Sequence, residues 1–172
     1  MSFVKLNEAS LSRVYALKDK NGFAIFAVKE YGDDDITENK KLLEAKKIIR
    51  EAGYGFIVLD GRYFERKDEN SEWVEYPPEK SLFVPAKEKN DTTLKELVLK
   101  LADKYNQSTI FWADGDGSVK YVDVKTGSEV SSSLKKFTPD IPKKPNEKTK
   151  TNQYGYSILT KGSHKNRVFV FE

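Results

Sequence analysis

Between Phe23 and Trp112 the chain alternates short apolar runs with two amphipathic stretches in the order βαββαβ. That order limits the possible folds more than any other feature. Phe23-Ala24-Ile25-Phe26-Ala27-Val28 is apolar throughout, as a strand covered on both faces requires. Leu42, Ala45, Ile49 and Ala52, joined by Leu43 and Ile48, then recur at helical spacing and stop at Gly53, a residue suited to the left-handed turn past a helix end. Asp35 and Glu38 have capping-box spacing, and Asp33-Asp34-Asp35 places negative charge at the positive end of the helix dipole. A second strand is predicted from Gly55 through Glu65 and a third over Ser81–Val84, closed by Pro85. Thr93 and Glu96 repeat the capping-box spacing before a second helix lined by Leu94, Leu97, Val98, Leu101 and Tyr105, and Thr109–Trp112 is a fourth strand. The expected fold is α+β, a ferredoxin-like core with two helices on one face of a mainly antiparallel sheet.

The flanking segments extend this core. Leu11, Val14, Tyr15 and Lys18 predict a short N-terminal helix over residues 7–18. Residues 66–76 read as a polar excursion around Trp73, and residues 113–118 as a hairpin turn into a fifth strand, Val119–Val124. From Lys135 to Gln153, six lysines and three prolines predict an extended, mobile loop. Residues 154–172 hold two alternating strands, Tyr156–Leu159 and Val168–Phe171, and are too few to bury a core alone, so this hairpin is expected to dock on the main sheet. With 172 residues and no internal repeat, the expected organisation is a single domain, 1–172.

Composition removes several classes of function. The absence of cysteine excludes disulfides, thiolate metal sites and cysteine nucleophiles. A net charge of +3 is close to balance, weaker than a nucleic-acid binder usually carries. No apolar run approaches the roughly 20 residues that span a bilayer. The N-terminus lacks the apolar stretch of a secretory signal, so the expectation is a cytoplasmic protein without membrane contact.

Few residues suggest chemistry. The single histidine, His164, lies in a polar turn without the partners that a catalytic triad or a metal site needs. Asp114 and Asp116 share their spacing with a calcium loop but lack its glycine and closing glutamate, so turn chemistry explains them better. Gly53-Tyr54-Gly55 and Gly61-Arg62 do not make a phosphate loop. Glu65, Glu75 and Glu79 are candidate carboxylates for acid–base or magnesium work. Asn106 and Gln107, at a helix-to-strand junction, are suited to backbone struts or to reading a ligand's base edge. The lysine-rich segment Lys135–Lys150 could engage nucleic acid electrostatically, although it carries no aromatic stacking platform.

Several segments together resemble a family of small, mostly uncharacterised proteins of tailed bacteriophages and prophages: residues 10–13, Ala27-Val28-Lys29, residues 38–41, residues 53–56 and 61–65, residues 79–84, residues 104–108 and residues 169–172. The family pattern usually has Arg where this chain has Lys29, which would weaken bidentate gripping of a planar anion. The resemblance implies a phage accessory protein in the host bacterial cytoplasm, and no particular activity. Its polar positions, Arg13, Lys29, Asn39, Glu65, Glu79, Ser81 and Gln107, are the candidate ligand-binding residues, with no cofactor expected.

Three functions follow as expectations. The first is a binding protein that captures a host factor or nucleotide signal to counter bacterial defence. The second is a divalent-metal enzyme acting on phosphate esters through Glu65 and Glu79. The third is a virion or assembly component. Homodimerisation through an edge strand is a further expectation.

Overall fold

A computed structural model describes residues 19–75, 79–132, 134–135, 153–159 and 168–171. Among them are two helices, α1 (Asp35–Glu51) and α2 (Thr92–Lys104). The strands are β1 (Phe23–Ala27), β2 (Ile57–Glu65), β3 (Val74–Glu75), β4 (Glu79–Pro85) and β5 (Thr109–Ala113). They continue with β6 (Val119–Asp123), β7 (Glu129–Ser132), β8 (Leu134–Lys135), β9 (Gln153–Leu159) and β10 (Val168–Phe171). The architecture is mixed α+β around an antiparallel sheet. Its strand order is β7-β6-β5-β1-β4-β2-β9-β10-β8, with β3 also paired to β2.

β1 lies between β5 and β4, with Ala24 opposite both Trp112 and Val84. β4 continues to β2 through Gly61↔Glu79 and Leu59↔Ser81. Alternation of side chains across β1 divides the core in two. Ala24, Phe26 and Val28 join Leu42, Ala45 and Ile49 of α1 and Leu94, Val98 and Leu101 of α2 in one buried cluster. Phe23 and Ile25 join Leu59, Phe83 and Val119 in another. The continuous apolar run is thus explained by burial on both sides.

Both helices end in Schellman motifs. The Gly53 N–H reaches the Arg50 carbonyl at 2.9 Å and the Tyr54 N–H reaches that of Ile49 at 3.1 Å. At the end of α2, Asn106 takes the left-handed position at φ 54°, its N–H reaches Asp103 O at 3.0 Å, and the Gln107 N–H reaches Ala102 O at 2.8 Å.

The helix starts differ from the sequence reading. The N-caps are Asp34, which accepts from the Thr37 N–H at 2.7 Å, and Asp91, which accepts from the Leu94 N–H at 3.0 Å. Neither expected capping box forms, because each cap lies one or two residues earlier than the spacing suggested. Leu43 and Ala52 are exposed rather than on the packed face: the buried stripe of α1 runs through Leu42, Ala45 and Ile49, and Ala52 is already the C-cap.

Other boundaries also move. The residue 66–76 excursion contains β3, which pairs with Phe64 and Glu65, and the Arg66 guanidinium lies 4.5 Å from the Trp73 ring centre. β7, absent from the sequence reading, pairs with β6. Lys135 ends β8 and Gln153 opens β9, so the segment between those strands is shorter than expected. β9 pairs with β2 from Leu59↔Leu159 to Glu65↔Gln153. The expected helix over residues 7–18, most of the lysine-rich loop and the turn carrying His164 lie outside the described residues.

Candidate functional site

The site begins where β1 stops. Its last pairing to β4 is Ala27↔Ser81, so the first two residues of β4, Glu79 and Lys80, extend past the end of β1. The chain turns away through Lys29 and Glu30 into α1. This turn is closed by the Asp33 N–H on Glu30 O at 3.0 Å and the Glu30 N–H on Asp33 Oδ2 at 2.9 Å. With Asp34 as cap, Glu38 falls just beyond the capping positions and turns inward. It stands at i, i+4, i+7 and i+11 with Leu42, Ala45 and Ile49, on the stripe that faces the sheet.

Glu38 is therefore buried, at 4% exposure. Its carboxyl hydrogen-bonds the Lys80 backbone N–H. Its Oε2 has no hydrogen-bond partner among the described residues. Burial raises its pKa first of all, against the opposing pull of the Lys29 ammonium. Glu79 is half-buried close by, and its pKa is also raised, by burial and then by the charge of Glu38, while Lys29 again opposes. The Lys29 charge thus acts on both carboxyls, and that of Glu38 on Glu79.

Backbone geometry makes room for this corner. Gly61 lies opposite Glu79, and a Cβ there would sit 3.3 Å from Glu79 O and 3.6 Å from Glu79 Cγ. Ser81 is buried beside them, with its hydroxyl 3.9 Å from the same position. On the outer side the Lys80 ammonium donates to Asn39 Oδ1 at 3.3 Å, joining the first turn of α1 to the start of β4.

A second layer fixes the turn that carries Lys29. The Gln107 amide donates to Lys29 O at 2.8 Å and to Tyr105 O at 3.0 Å. The Asn106 amide donates to Glu30, whose other oxygen accepts from Lys41, and Lys41 also reaches Asp33 Oδ2 at 2.6 Å. Those bonds hold the Glu30 and Asp33 carboxyls below the usual range. Gln107 is therefore a strut, because both amide hydrogens are committed to backbone carbonyls.

Of the residues singled out from sequence, Lys29, Asn39, Glu79, Ser81 and Gln107 belong to this region. Glu65 does not. It lies four residues along β2 from Gly61, about 13 Å at the usual rise, so it cannot form a close carboxylate pair with Glu79. Glu75 is opposite Phe64, in the same remote part of the sheet. Arg13 lies outside the described residues. The carboxyl whose charge acts on Glu79 is instead Glu38, which the sequence reading assigned to a cap. Its place on the apolar stripe of α1 was the signal that could have found it.

The remaining motifs are structural. Asp114 accepts from the Asp116 N–H at 3.1 Å, and Asp116 from the Ser118 N–H at 2.8 Å and hydroxyl at 2.6 Å. These bonds, the Ser118 hydroxyl first, bring the Asp116 pKa down to about 2. Among the described residues no group of three or more His, Asp or Glu side chains could hold a metal ion. No helix there is long and apolar enough to cross a membrane. Compared with protein-family models and with curated protein sequences, the chain matches none.

Proposed function

We propose that the chain is a non-catalytic binding protein of the phage-accessory kind, working in the bacterial cytoplasm. It captures a nucleotide signal or host factor and so blunts host defence. Its ligand sits at the corner formed by Lys29, Glu38, Glu79 and Ser81. The observation that carries this reading is the unpartnered oxygen of Glu38. A buried polar atom without a partner destabilises a fold by about 1–3 kcal/mol, and such sites persist where a function uses them.

A binding role fits better than the metal-enzyme reading, because the carboxylates proposed for that reading stand in different parts of the sheet. A ferredoxin-like description of the core belongs with this proposal. It is supported by the order β5-β1-β4-β2 and by the shared packing of α1 and α2 on one cluster. In that arrangement ends of strands and helices converge, and the corner is one such convergence.

Titration calorimetry of the native chain against a nucleotide panel tests the reading, with Glu38→Gln as the comparison. Saturable binding that Glu38→Gln abolishes supports it. Binding that is indifferent to Glu38→Gln, or no binding at all, counts against the corner as a nucleotide site.

A further inference from the structure

The two ends of the sheet order are neighbours in the chain: β7 stops at Ser132 and β8 starts at Leu134. Laid flat, the eight strand-to-strand steps between them would span about 38 Å. Two Cα steps reach about 7.6 Å at most. The sheet is therefore rolled until its ends meet, as eight strands in which β7 and β8 count as one. The registers give its stagger. Through β5 and β6, Ile25 is level with Val130, four residues before Leu134. Through β4, Ile25 is level with Ile57, and through β9 and β10, Leu134 is level with Tyr63, six residues further along β2. The two displacements run in opposite directions, so the stagger is ten residues, the kind of offset that closes a barrel.

An eight-stranded barrel has room inside for side chains or one small ligand, not for helices, so α1 and α2 pack on its outside. The inner face is the one carrying Phe23, Ile25, Leu59, Phe83 and Val119. It continues along β1, β4 and β2 to Ala27, Ser81, Glu79 and Gly61. The apolar group fills one end, whereas Ala27, Ser81 and Gly61 are too small to fill the level beyond it. Ser81 is 8% exposed, and its hydroxyl stands 3.9 Å from where a Gly61 Cβ would lie. Neither that hydroxyl nor the Glu79 carboxyl makes a hydrogen bond or ion pair among the described residues. Glu79 is half-buried, so this end is approachable from its side. At Glu79 the charge of Glu38 outweighs that of Lys29, which favours a cation over an anion.

We infer that the Glu79 end of the barrel interior binds a small primary amine with a short apolar body. Its ammonium donates to the Glu79 carboxylate and the Ser81 hydroxyl, and its body rests on Leu59 and Phe83. Hydrogen bonds from an ammonium to a carboxylate are charge-assisted and stronger than neutral ones. The site goes beyond the nucleotide reading, because it uses the inner face of the sheet, whereas Glu38 comes from a helix on the outside.

Titration calorimetry of the native chain at pH 8 with hexylamine, hexanol and hexanoate is the test, since the three share one body and differ in the head. Hexylamine should saturate a single site, hexanol should bind about tenfold more weakly or worse, and hexanoate should not bind. Glu79→Gln should bring hexylamine down to the level of hexanol. Ser81→Leu, which fills the space, should abolish binding of both. Equal affinity for hexylamine and hexanol overturns the role of Glu79, and hexanoate binding as tightly as hexylamine overturns the amine assignment. Failure of all three to bind overturns the interior site. The comparison of ligands uses the unaltered chain, so it decides even if a variant fails to fold. Nucleotides are titrated separately, so failure here leaves the nucleotide reading standing, and failure there leaves this one.

Discussion

The Tyr54 hydroxyl lies 3.0 Å from each carboxylate oxygen of Asp91, which also receives the backbone N–H groups of Leu94 at 3.0 Å and Lys87 at 3.1 Å. Asp91 is 2% exposed and fully satisfied; Glu38 is 4% exposed and leaves an oxygen without a partner among the described residues. The fold can therefore satisfy a buried carboxylate where the role is structural. The contrast makes Glu38 the exception that function has to explain.

Tyr54→Phe should destabilise the chain by about 1–3 kcal/mol, because it removes a donor from a buried carboxyl group. Urea unfolding measures the loss. The Lys87 ammonium, 4.2 Å from the centre of the Tyr54 ring, remains over the ring in the variant, so the change isolates the hydroxyl. A change within a few tenths of a kcal/mol would mean that the two backbone donors suffice.

Glu38→Gln should act in the opposite direction at neutral pH, raising stability by roughly 0.5–2 kcal/mol, the usual gain from relieving one unfavourable feature. The sign follows from the raised pKa values of Glu38 and Glu79. The folded chain holds their protons more tightly than the unfolded chain does. Their stabilising contribution is complete below the unfolded pKa and is lost as pH rises through the folded values. Carboxyls such as Glu30, Asp33 and Glu129 have lowered values and contribute in the reverse sense, lost as pH falls. The informative quantity is thus the difference between the native chain and Glu38→Gln/Glu79→Gln, followed by thermal unfolding from pH 4 to pH 8. It should widen with pH in favour of the variant.

The sequence made the alternation of β and α elements legible because their side-chain periods differ and the runs are long. Gly53 and Asn106 sit where helix-ending chemistry asks for them. The site was only partly legible. Lys29, Asn39, Glu79, Ser81 and Gln107 lie at element ends, where topology brings them near one another. Glu38 was hidden because acidic residues at a helix start have a ready explanation as caps, and only the real cap at Asp34 reveals that Glu38 faces the sheet. Glu65 looked equivalent to Glu79 because sequence alone does not set the register between β2 and β4. β7 escaped because Glu129-Val130-Ser131-Ser132 has little apolar content, and its pairing with β6 is a tertiary effect.

Gln107→Ala should lower stability by about 1–2 kcal/mol, since it frees the carbonyls of Lys29 and Tyr105 from their amide donors. Its more specific effect is on the turn ahead of α1. Amide hydrogen exchange at residues 29–33 should quicken, whereas exchange in α2 should change little. Uniform acceleration across the chain would assign Gln107 a global role instead.

Gly61→Ala places a methyl group 3.3 Å from the Glu79 carbonyl and 3.6 Å from its Cγ. The backbone there does not require glycine's left-handed freedom, so the penalty is steric, on the order of 1 kcal/mol. Because Glu79 must shift to accommodate it, ligand affinity should fall more than stability. Calorimetry and unfolding of the same variant separate the two.

Site-resolved titration of the glutamate carboxyls by NMR tests the influence of Lys29 on Glu38 and Glu79, and of Glu38 on Glu79, most directly. Glu38 and Glu79 should both titrate above the ordinary glutamate range. Glu79 should move down in Glu38→Gln, and both carboxyls should move up in Lys29→Met. Ordinary midpoints for both, with Glu79 indifferent to either substitution, would contradict a shared corner.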